Sequence, residues 1–336
     1  MPKLKQWYIG FLDKDKRNIF ESFFACVLYL LSLVYGLGVF FRNFLYDKHI
    51  LTINTTKSKV ISVGNLSWSG SGKTTLALFL YNKFCERFQT AILRRGYGSD
   101  EEKLLKEVTA NVFSAVDRAA LAKKFESRFG LFILDDGFQY RRLKRDVEIV
   151  VMGAREFKDK HHLIPADFFR EPLNSLKRAD FLILNYKDEL NDPLKTIAPI
   201  RRIAPDLKIY FSCYKIERLL DLSGDAIDLN SLAGKKIAAL TAIGYPLGFF
   251  RKLEEAKLDI AHTITYPDHY ELSKPEFLNV EKDLLAKGCD ILMLTRKDKY
   301  HLPDLKSKLK IVVVDIKLEI EKEEQFVGEL FDVFSS

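Results

Sequence analysis

The chain has 336 residues, enough for about two ordinary domains, and 47% of them are hydrophobic, so each domain can bury a core. The formal net charge of +7 is spread along the chain rather than gathered in a tail; it suits phosphates, an anionic bilayer surface or nucleic acid without choosing among them. Cys26, Cys85, Cys213 and Cys289 lie far apart and form no C-x-x-C, which argues against a disulfide framework or a zinc ribbon and fits a reducing compartment.

The first element in chain order is Ser22 to Phe41, SFFACVLYLLSLVYGLGVFF, an uncharged run. As a helix it is about 30 Å long, the thickness of a hydrocarbon core. It is too long for a signal-peptide core and no small-residue cleavage site follows; a buried core helix is the competing reading. Both flanks are basic, with Lys3, Lys5, Lys14, Lys16 and Arg17 before and Arg42 and Lys48 after, so flanking charge does not fix an orientation. Spanning the bilayer and embedding in part both stay open.

After it, Lys59–Val63 reads as a strand, Gly64–Gly72 as a loop, and Thr74–Phe88 as a helix with Leu76, Phe79, Leu80 and Phe84 on one face. Thr90–Leu93, Leu131–Leu134, Val147–Met152 and Phe181–Leu184 are short apolar strands separated by helical stretches. That alternation predicts a parallel sheet with helices on both faces. A polar stretch near Asn191–Asp206 leads to a linking strand, Lys208–Glu217, and a second α/β set with strands at Lys236–Thr241, Asp290–Thr295 and Lys310–Asp315. The expected organisation is a membrane-associated helix over 1–48, a nucleotide-binding core over 49–207 and a smaller α/β domain over 208–336.

The chemistry begins at VGNLSWSGSGKTT, Val63 to Thr75. Strand, glycine turn, then lysine and threonine opening a helix is the context of a phosphate-binding loop, in which backbone N–H groups and the helix N-terminus face an anion. Ser69, Gly70, Ser71, Gly72, Lys73, Thr74 and Thr75 are the expected phosphate contacts, with Lys73 on the β- and γ-phosphates and Thr74 on a magnesium ion. The consensus glycine at the start of the loop is replaced by Ser67; an ordinary Gly/Ser turn with a solvated lysine is the plainer alternative. In FILDDGFQ an apolar strand ends in Asp135, placed to hold Mg²⁺ directly or through water. Asp136 is either a second metal contact or a turn residue before Gly137. SDEE, Ser99–Glu102, reads as an acidic helix start. Arg170 and Glu171 of REP read as a solvated pair or as an arginine set against phosphate. YPDHY sets His269 beside Asp268.

Taken together and in this order, GNLSWSGSGKT, RRGYG, SDEE, DDGFQYRRLKRD, PADFFREP, ALTAIGYPLGFF, YPDHY and LTRKD resemble the tetraacyldisaccharide 4′-kinases of lipid A synthesis over most of the chain after residue 59. DDGFQ-x-RRL-x-RD is the most specific of them. The family loop runs approximately GNITVGGTGKTP, so Ser67 falls on a family threonine. The resemblance implies a P-loop NTPase-type parallel sheet, a second smaller α/β domain and an N-terminal membrane helix. It implies ATP and Mg²⁺ as cofactors, an acylated disaccharide 1-phosphate lipid as substrate, and no nucleic acid or protein partner. Catalytic roles carry over to Asp100 and His269, which would activate the sugar hydroxyl, and to Lys73 and Arg170, which would supply charge at the phosphates. The resemblance assigns Thr74, Asp135, Asp136 and Glu171 to the metal and phosphates. The catalytic domains would work on the cytoplasmic face of the bacterial inner membrane, where ATP is found. This chain departs from the family at SDEE for GDEP, at TRKD for TEKD, and at Asp167 in place of glycine. The stretch between RGYG and SDEE is nearly absent, so Asp100 follows the glycine turn directly.

The competing class is a membrane-anchored GTPase switch that binds a protein partner. TRKD (Thr295–Asp298) and NYKD (Asn185–Asp188) come near the guanine-reading [NT]KxD pattern, but neither has lysine second. A kinase fold without activity is a third reading, its one hint being the shortened stretch.

Overall fold

The computed structural model describes residues 7–8, 10–12, 14, 18–68, 72–96, 100–153, 156, 161–185, 193–268, 270–304 and 306–335. The chain divides into two compact units, one of Leu12–Cys213 with Leu318–Ser336, the other of Tyr214–Lys317 with the described residues up to Phe11.

The larger unit opens with α1 (Ile19–Asp47). Its start is set by a capping box: Asn18 Oδ1 accepts from the Glu21 N–H (2.8 Å) and Glu21 Oε2 accepts from the Asn18 N–H (2.9 Å). Leu28, Ser32, Val39 and Tyr46, spaced at helical intervals, form its buried stripe, while Phe20, Phe23, Leu30, Leu33, Leu37, Phe40 and Phe44 are exposed. Then come β1 (Lys59–Gly64), α2 (Lys73–Phe84), β2 (Thr90–Arg94), α3 (Asp100–Val108), β3 (Val112–Ser114), α4 (Arg118–Phe125), β4 (Leu131–Asp135), β5 (Val147–Gly153), β6 (Phe181–Asn185), α5 (Pro193–Ile203) and β7 (Lys208–Leu220). The strands lie in the order β7-β6-β5-β1-β4-β2-β3, each pair parallel. β1, β4 and β6 are almost wholly buried, as strands covered on both faces must be, and this is why their sequence runs apolar without alternation. α4 packs through Ala119 and Ala122 on Val60, Leu93, Phe132 and Leu134, and α5 through Ile200 on Val150, Met152 and Leu182.

In the smaller unit β8 (Ala226–Ile227) pairs antiparallel with the end of β7. β9 (Ile237–Thr241), α6 (Pro246–Glu255), β10 (Ile260–Thr265), α7 (Lys274–Ala286), β11 (Ile291–Thr295) and β12 (Lys310–Ile320) follow, with parallel order β10-β9-β11-β12. Along β9, Ile237 and Ala239 join α6 (Phe249, Leu253) in one cluster and Ala238 and Leu240 join α7 (Phe277, Leu284) in another. That alternation puts a helix on each face.

The chain then returns to the larger unit as α8 (Glu323–Ser335). Phe331 and Phe334 lie 4.4 and 5.8 Å from the Phe84 ring, and Phe326 lies 5.6 Å from Phe181 and 5.1 Å from Tyr210. The division expected at 207/208 therefore changes in two ways. The units part inside β7 and β12, after Cys213 and Lys317, and the C-terminal helix belongs with the nucleotide-loop unit because its aromatic face packs there.

Candidate active site

β1 ends at Gly64 and the chain enters the glycine loop; Ser69, Gly70 and Ser71 lie outside the described residues. Gly72, in the left-handed region (φ 91°), starts α2, and the first helical residues are Lys73, Thr74 and Thr75. The Thr74 hydroxyl donates to Asp135 Oδ2 (3.2 Å), the residue on which the neighbouring strand β4 ends.

Strand ends and loop are brought together by missing side chains. A Cβ on Gly64 would sit 2.4 Å from Phe138 Cβ, and one on Gly137 would sit 2.2 Å from Ser62 Oγ. The Gly137 N–H donates to the Val63 carbonyl (2.9 Å). Between the apolar strand and Gly137, Asp136 takes a left-handed backbone (φ 54°), uncommon for a residue with a side chain. Buried Arg118, from the start of α4, holds this turn: its Nη1 donates to the carbonyls of both Asp135 and Asp136 (3.0 Å each).

The cations converge on the two carboxylates. Arg170 donates through Nη1 and Nη2 to Asp136 (3.1 and 2.8 Å) and also to Asn65 Oδ1. Lys73 Nζ is 3.7 Å from Asp136 Oδ1, and Arg94 Nε is 3.8 Å from Asp135 Oδ2. Burial pushes the Lys73 ammonium below its ordinary value, against the pull of Asp136. Burial raises the Asp135 carboxyl above the usual range, with Arg94 opposing. Burial acts upward on Asp136 too, but the paired bonds from Arg170 and the Lys73 charge outweigh it and hold this carboxyl well below the usual range. One Asp135 oxygen, Oδ1, is buried with no hydrogen-bond partner among the described residues. Lys73, Arg94, Arg118 and Arg170 thus gather around Asp135 and Asp136, with Glu101 beside Arg94, and cations so gathered can receive a polyanionic ligand.

Asp100 begins α3, ahead of Glu101 and Glu102, so the acidic run does stand at a helix N-terminus. Arg94 Nη2 lies 3.8 Å from Glu101 Oε2. His269 lies outside the described residues. Around it, Tyr266 and Tyr270 stack at 5.0 Å, and the Tyr266 N–H donates to the Thr241 carbonyl at the end of β9.

Glu171 stands apart from this cluster. It is fully buried, and its oxygens accept from Arg42 Nη2 (2.8 Å), Asn43 Nδ2 (2.8 Å) and Arg178 Nη1 (2.9 Å). No hydrogen bond or ion pair among the described residues joins it to Thr74, Asp135 or Asp136. No cluster of three His, Cys, Asp or Glu suited to a metal occurs among the described residues. Asp298 of TRKD is likewise taken: it accepts from Thr241 Oγ1 (2.7 Å), the Ala242 N–H (2.7 Å) and Thr295 Oγ1 (2.6 Å), joining the ends of β9 and β11. The remaining guanine-like match ends β6 at Asn185, and its residues 186–188 lie outside the described residues.

Ser67, the departure from the loop consensus, is buried and donates its hydroxyl to Glu156, whose other oxygen accepts from the Gly153 N–H (3.1 Å). Its backbone bridges Phe169. A glycine here would lose the side-chain tie that holds the loop stem to the end of β5. Sequence reasoning missed Arg94, Arg118 and Asn65. Arg94 is the first arginine of RRGYG and closes β2, a signal available in the motif. Arg118 follows only an N-cap aspartate, Asp117, and nothing local marks it.

The family model for tetraacyldisaccharide-1-P 4′-kinase matches residues 24–115 and 100–334. The two stretches overlap around α3, where the sequence is short of the family pattern. The chain is similar to the tetraacyldisaccharide 4′-kinase of Halothermothrix orenii (27% identity, 95% of each chain) and to that of Anaeromyxobacter dehalogenans (32% identity, 82% of each). Its fold is similar to a crystal structure of LpxK from Aquifex aeolicus in complex with ATP, with a TM-score of 0.70 and 27% identity over 93% of this chain and 99% of that one.

Proposed function

Because the chain belongs to the tetraacyldisaccharide-1-P 4′-kinase family, we propose that this kinase of lipid A biosynthesis transfers the γ-phosphate of ATP to the 4′-hydroxyl of a tetraacylated glucosamine disaccharide 1-phosphate, giving lipid IVA. The observation that carries the reading is the convergence of Lys73 and Arg170 on Asp136 beside the Thr74–Asp135 pair at the ends of β1 and β4. Phosphoryl transfer asks mainly for positioning and charge stabilisation. Lys73 and Arg170 supply positive charge where the phosphates lie, and the N-terminus of α2 adds its dipole. Arg118 and Gly137 keep the Asp135–Asp136 turn in one conformation.

The residues fit a magnesium ion: the Thr74 hydroxyl stands at Asp135, whose second oxygen is buried without a partner among the described residues. Thr74 and Asp135 would hold the ion, with Asp136 beside it. Bound there, it would neutralise charge on the phosphates. The proton of the attacking hydroxyl falls to His269, with Asp100 in support, as the family resemblance implies.

α1 brings the enzyme to its substrate. A multiply acylated lipid does not leave the bilayer readily, each buried CH₂ holding it by about 0.8 kcal/mol. α1 is long and apolar enough to cross a bilayer. Yet Leu28 to Tyr46 is buried along one stripe, and Tyr35, Arg42 and Asn43 bond to the 170–171 segment. That favours a helix embedded from the cytoplasmic face of the inner membrane over one that spans it.

The test is phosphate transfer from labelled ATP to the disaccharide 1-phosphate lipid, with the phosphorylated position read by NMR. Phosphate at the 4′ position, and a loss of roughly 10²–10⁴-fold in rate for His269→Ala, are expected. Phosphate elsewhere on the lipid, or near-native turnover of His269→Ala with saturating substrate, contradicts the assignment.

A further inference from the structure

Glu171 is a fully buried carboxylate without a place in the metal and phosphate cluster, and the residues that satisfy it come from two directions. Arg178 reaches it from the 3-10 turn Leu173–Arg178. Arg42 and Asn43 reach it from α1, 129 and 128 positions away in sequence. Arg42 also donates to Asn43 Oδ1 (3.0 Å), so the two α1 side chains act as one clamp. About two turns earlier on α1, the Tyr35 hydroxyl donates to the carbonyl of Arg170 (3.1 Å). The peptide between these contacts is itself pinned: the Arg170 and Glu171 N–H groups both donate to the Leu66 carbonyl (2.7 and 3.3 Å), at the stem of the phosphate loop. On the other side of the site, Arg141, five residues after Asp136, donates to the Asn43 carbonyl (3.1 Å) and to Asp47 (2.7 Å). The polar residues of an otherwise apolar helix thus grip the segments that carry Arg170 and Asp136.

We propose that Glu171 is a positioning residue rather than a metal ligand, and that it couples the seating of α1 to the Arg170 guanidinium, so that the apolar helix governs the rate of phosphoryl transfer as well as bringing the enzyme to its lipid. The proposal rests on the kinase reading and on the charge role given there to Arg170. Arg170 and Glu171 are adjacent, and Glu171 has no freedom while Arg42, Asn43 and Arg178 hold it. A shift of α1 therefore moves the Arg170 backbone through both the Tyr35 bond and the Glu171 clamp. Arg170 then loses its paired geometry on Asp136, and displacements of about 1 Å at a reacting centre are enough to cost roughly 100-fold in rate.

The experiment measures kcat and both KM values of the full-length protein in detergent micelles with ATP and the disaccharide 1-phosphate lipid. Wild type is compared with Arg42→Met, Arg42→Lys, Glu171→Gln and the Arg42→Met/Glu171→Gln pair. Arg42→Met keeps the aliphatic stem and leaves Arg178 and Asn43 on Glu171, so the buried carboxylate keeps two partners. The expected result is a kcat lowered roughly 10- to 100-fold in Arg42→Met, with both KM values within about twofold of wild type. Arg42→Lys recovers part of the loss, and the double variant is no slower than the slower single one. A rise in lipid KM with kcat intact overturns the proposal, because α1 then only captures substrate. Fully additive losses, or an unchanged Arg42→Met, overturn it as well. If wild type itself transfers no phosphate, the kinase reading fails; if wild type is active and Arg42→Met is unaffected, only the coupling fails.

Discussion

Asp135 and Asp298 occupy equivalent places in the two units, each at or just beyond the end of a buried parallel strand flanked by helices, yet they are treated in opposite ways. Asp298 is saturated by neutral donors from Thr241, Ala242 and Thr295 and joins two strand ends. Asp135 accepts from Thr74, lies near Arg94, and keeps one buried oxygen without a partner among the described residues, while burial pushes its carboxyl up. The same sequence signal, an apolar strand followed closely by aspartate, ends in a saturated joint between strands in one unit and in a carboxylate facing cations in the other. What separates them is the neighbour: a helix N-terminus with lysine and threonine beside Asp135, a strand end with backbone and hydroxyl donors beside Asp298.

That contrast sets the size of each expected effect. Asp135→Asn removes a charge that burial disfavours, so thermal stability should hold or rise while kcat falls by roughly 10²–10³-fold, the scale for losing one group that supports transition-state charge. A fall in melting temperature with activity retained would reverse the roles of the two aspartates. Asp298→Ala leaves several buried donors unpaired and should cost about 1–3 kcal/mol or more in denaturant titrations, with the Thr74 to Asp135 geometry intact. Gly64→Ala drives a methyl into Phe138 and should cost about 1–3 kcal/mol by overpacking, with a loss of nucleotide binding because the loop stem shifts. If Gly64→Ala binds ATP normally, the close approach of β1 and the Asp136–Phe138 turn is not what positions the loop.

The smallest effect is a pH dependence. Burial pushes the Glu171 carboxyl up, but Arg178, Arg42 and Asn43 outweigh it and leave the group below its ordinary value. A depressed carboxylate contributes stability that is complete above the unfolded value, about 4.3, and is lost as pH falls through the lower folded value. The stability gap between wild type and Glu171→Gln should therefore stay flat from neutral pH down to about 5 and narrow only in stronger acid.

Much of this was legible in the sequence. The apolar strands, the helix start after Gly72 and the acidic strand end were readable because burial on both faces and a glycine at a helix start impose local patterns, as at Leu131–Asp135 and Gly72–Thr74. The fate of α8 was not, since an aromatic face declares burial without naming Phe84 as its partner. Glu171 was assigned to the metal from the family resemblance of its REP motif; its partners Arg42 and Asn43 lie too far along the chain for any spacing rule to find. Asp136 left two readings open; its left-handed backbone, held by Arg118, puts it in the turn, and its carboxylate receives Arg170 and faces Lys73.

The most direct measurement is single-turnover transfer from γ-labelled ATP to the disaccharide 1-phosphate lipid by wild type, Lys73→Met and Asp135→Asn side by side. The account predicts labelled lipid with wild type and a rate lower by roughly 10²–10³-fold in each variant. Labelled lipid formed equally fast by all three, or preferred transfer from GTP with no lipid product from ATP, would contradict it.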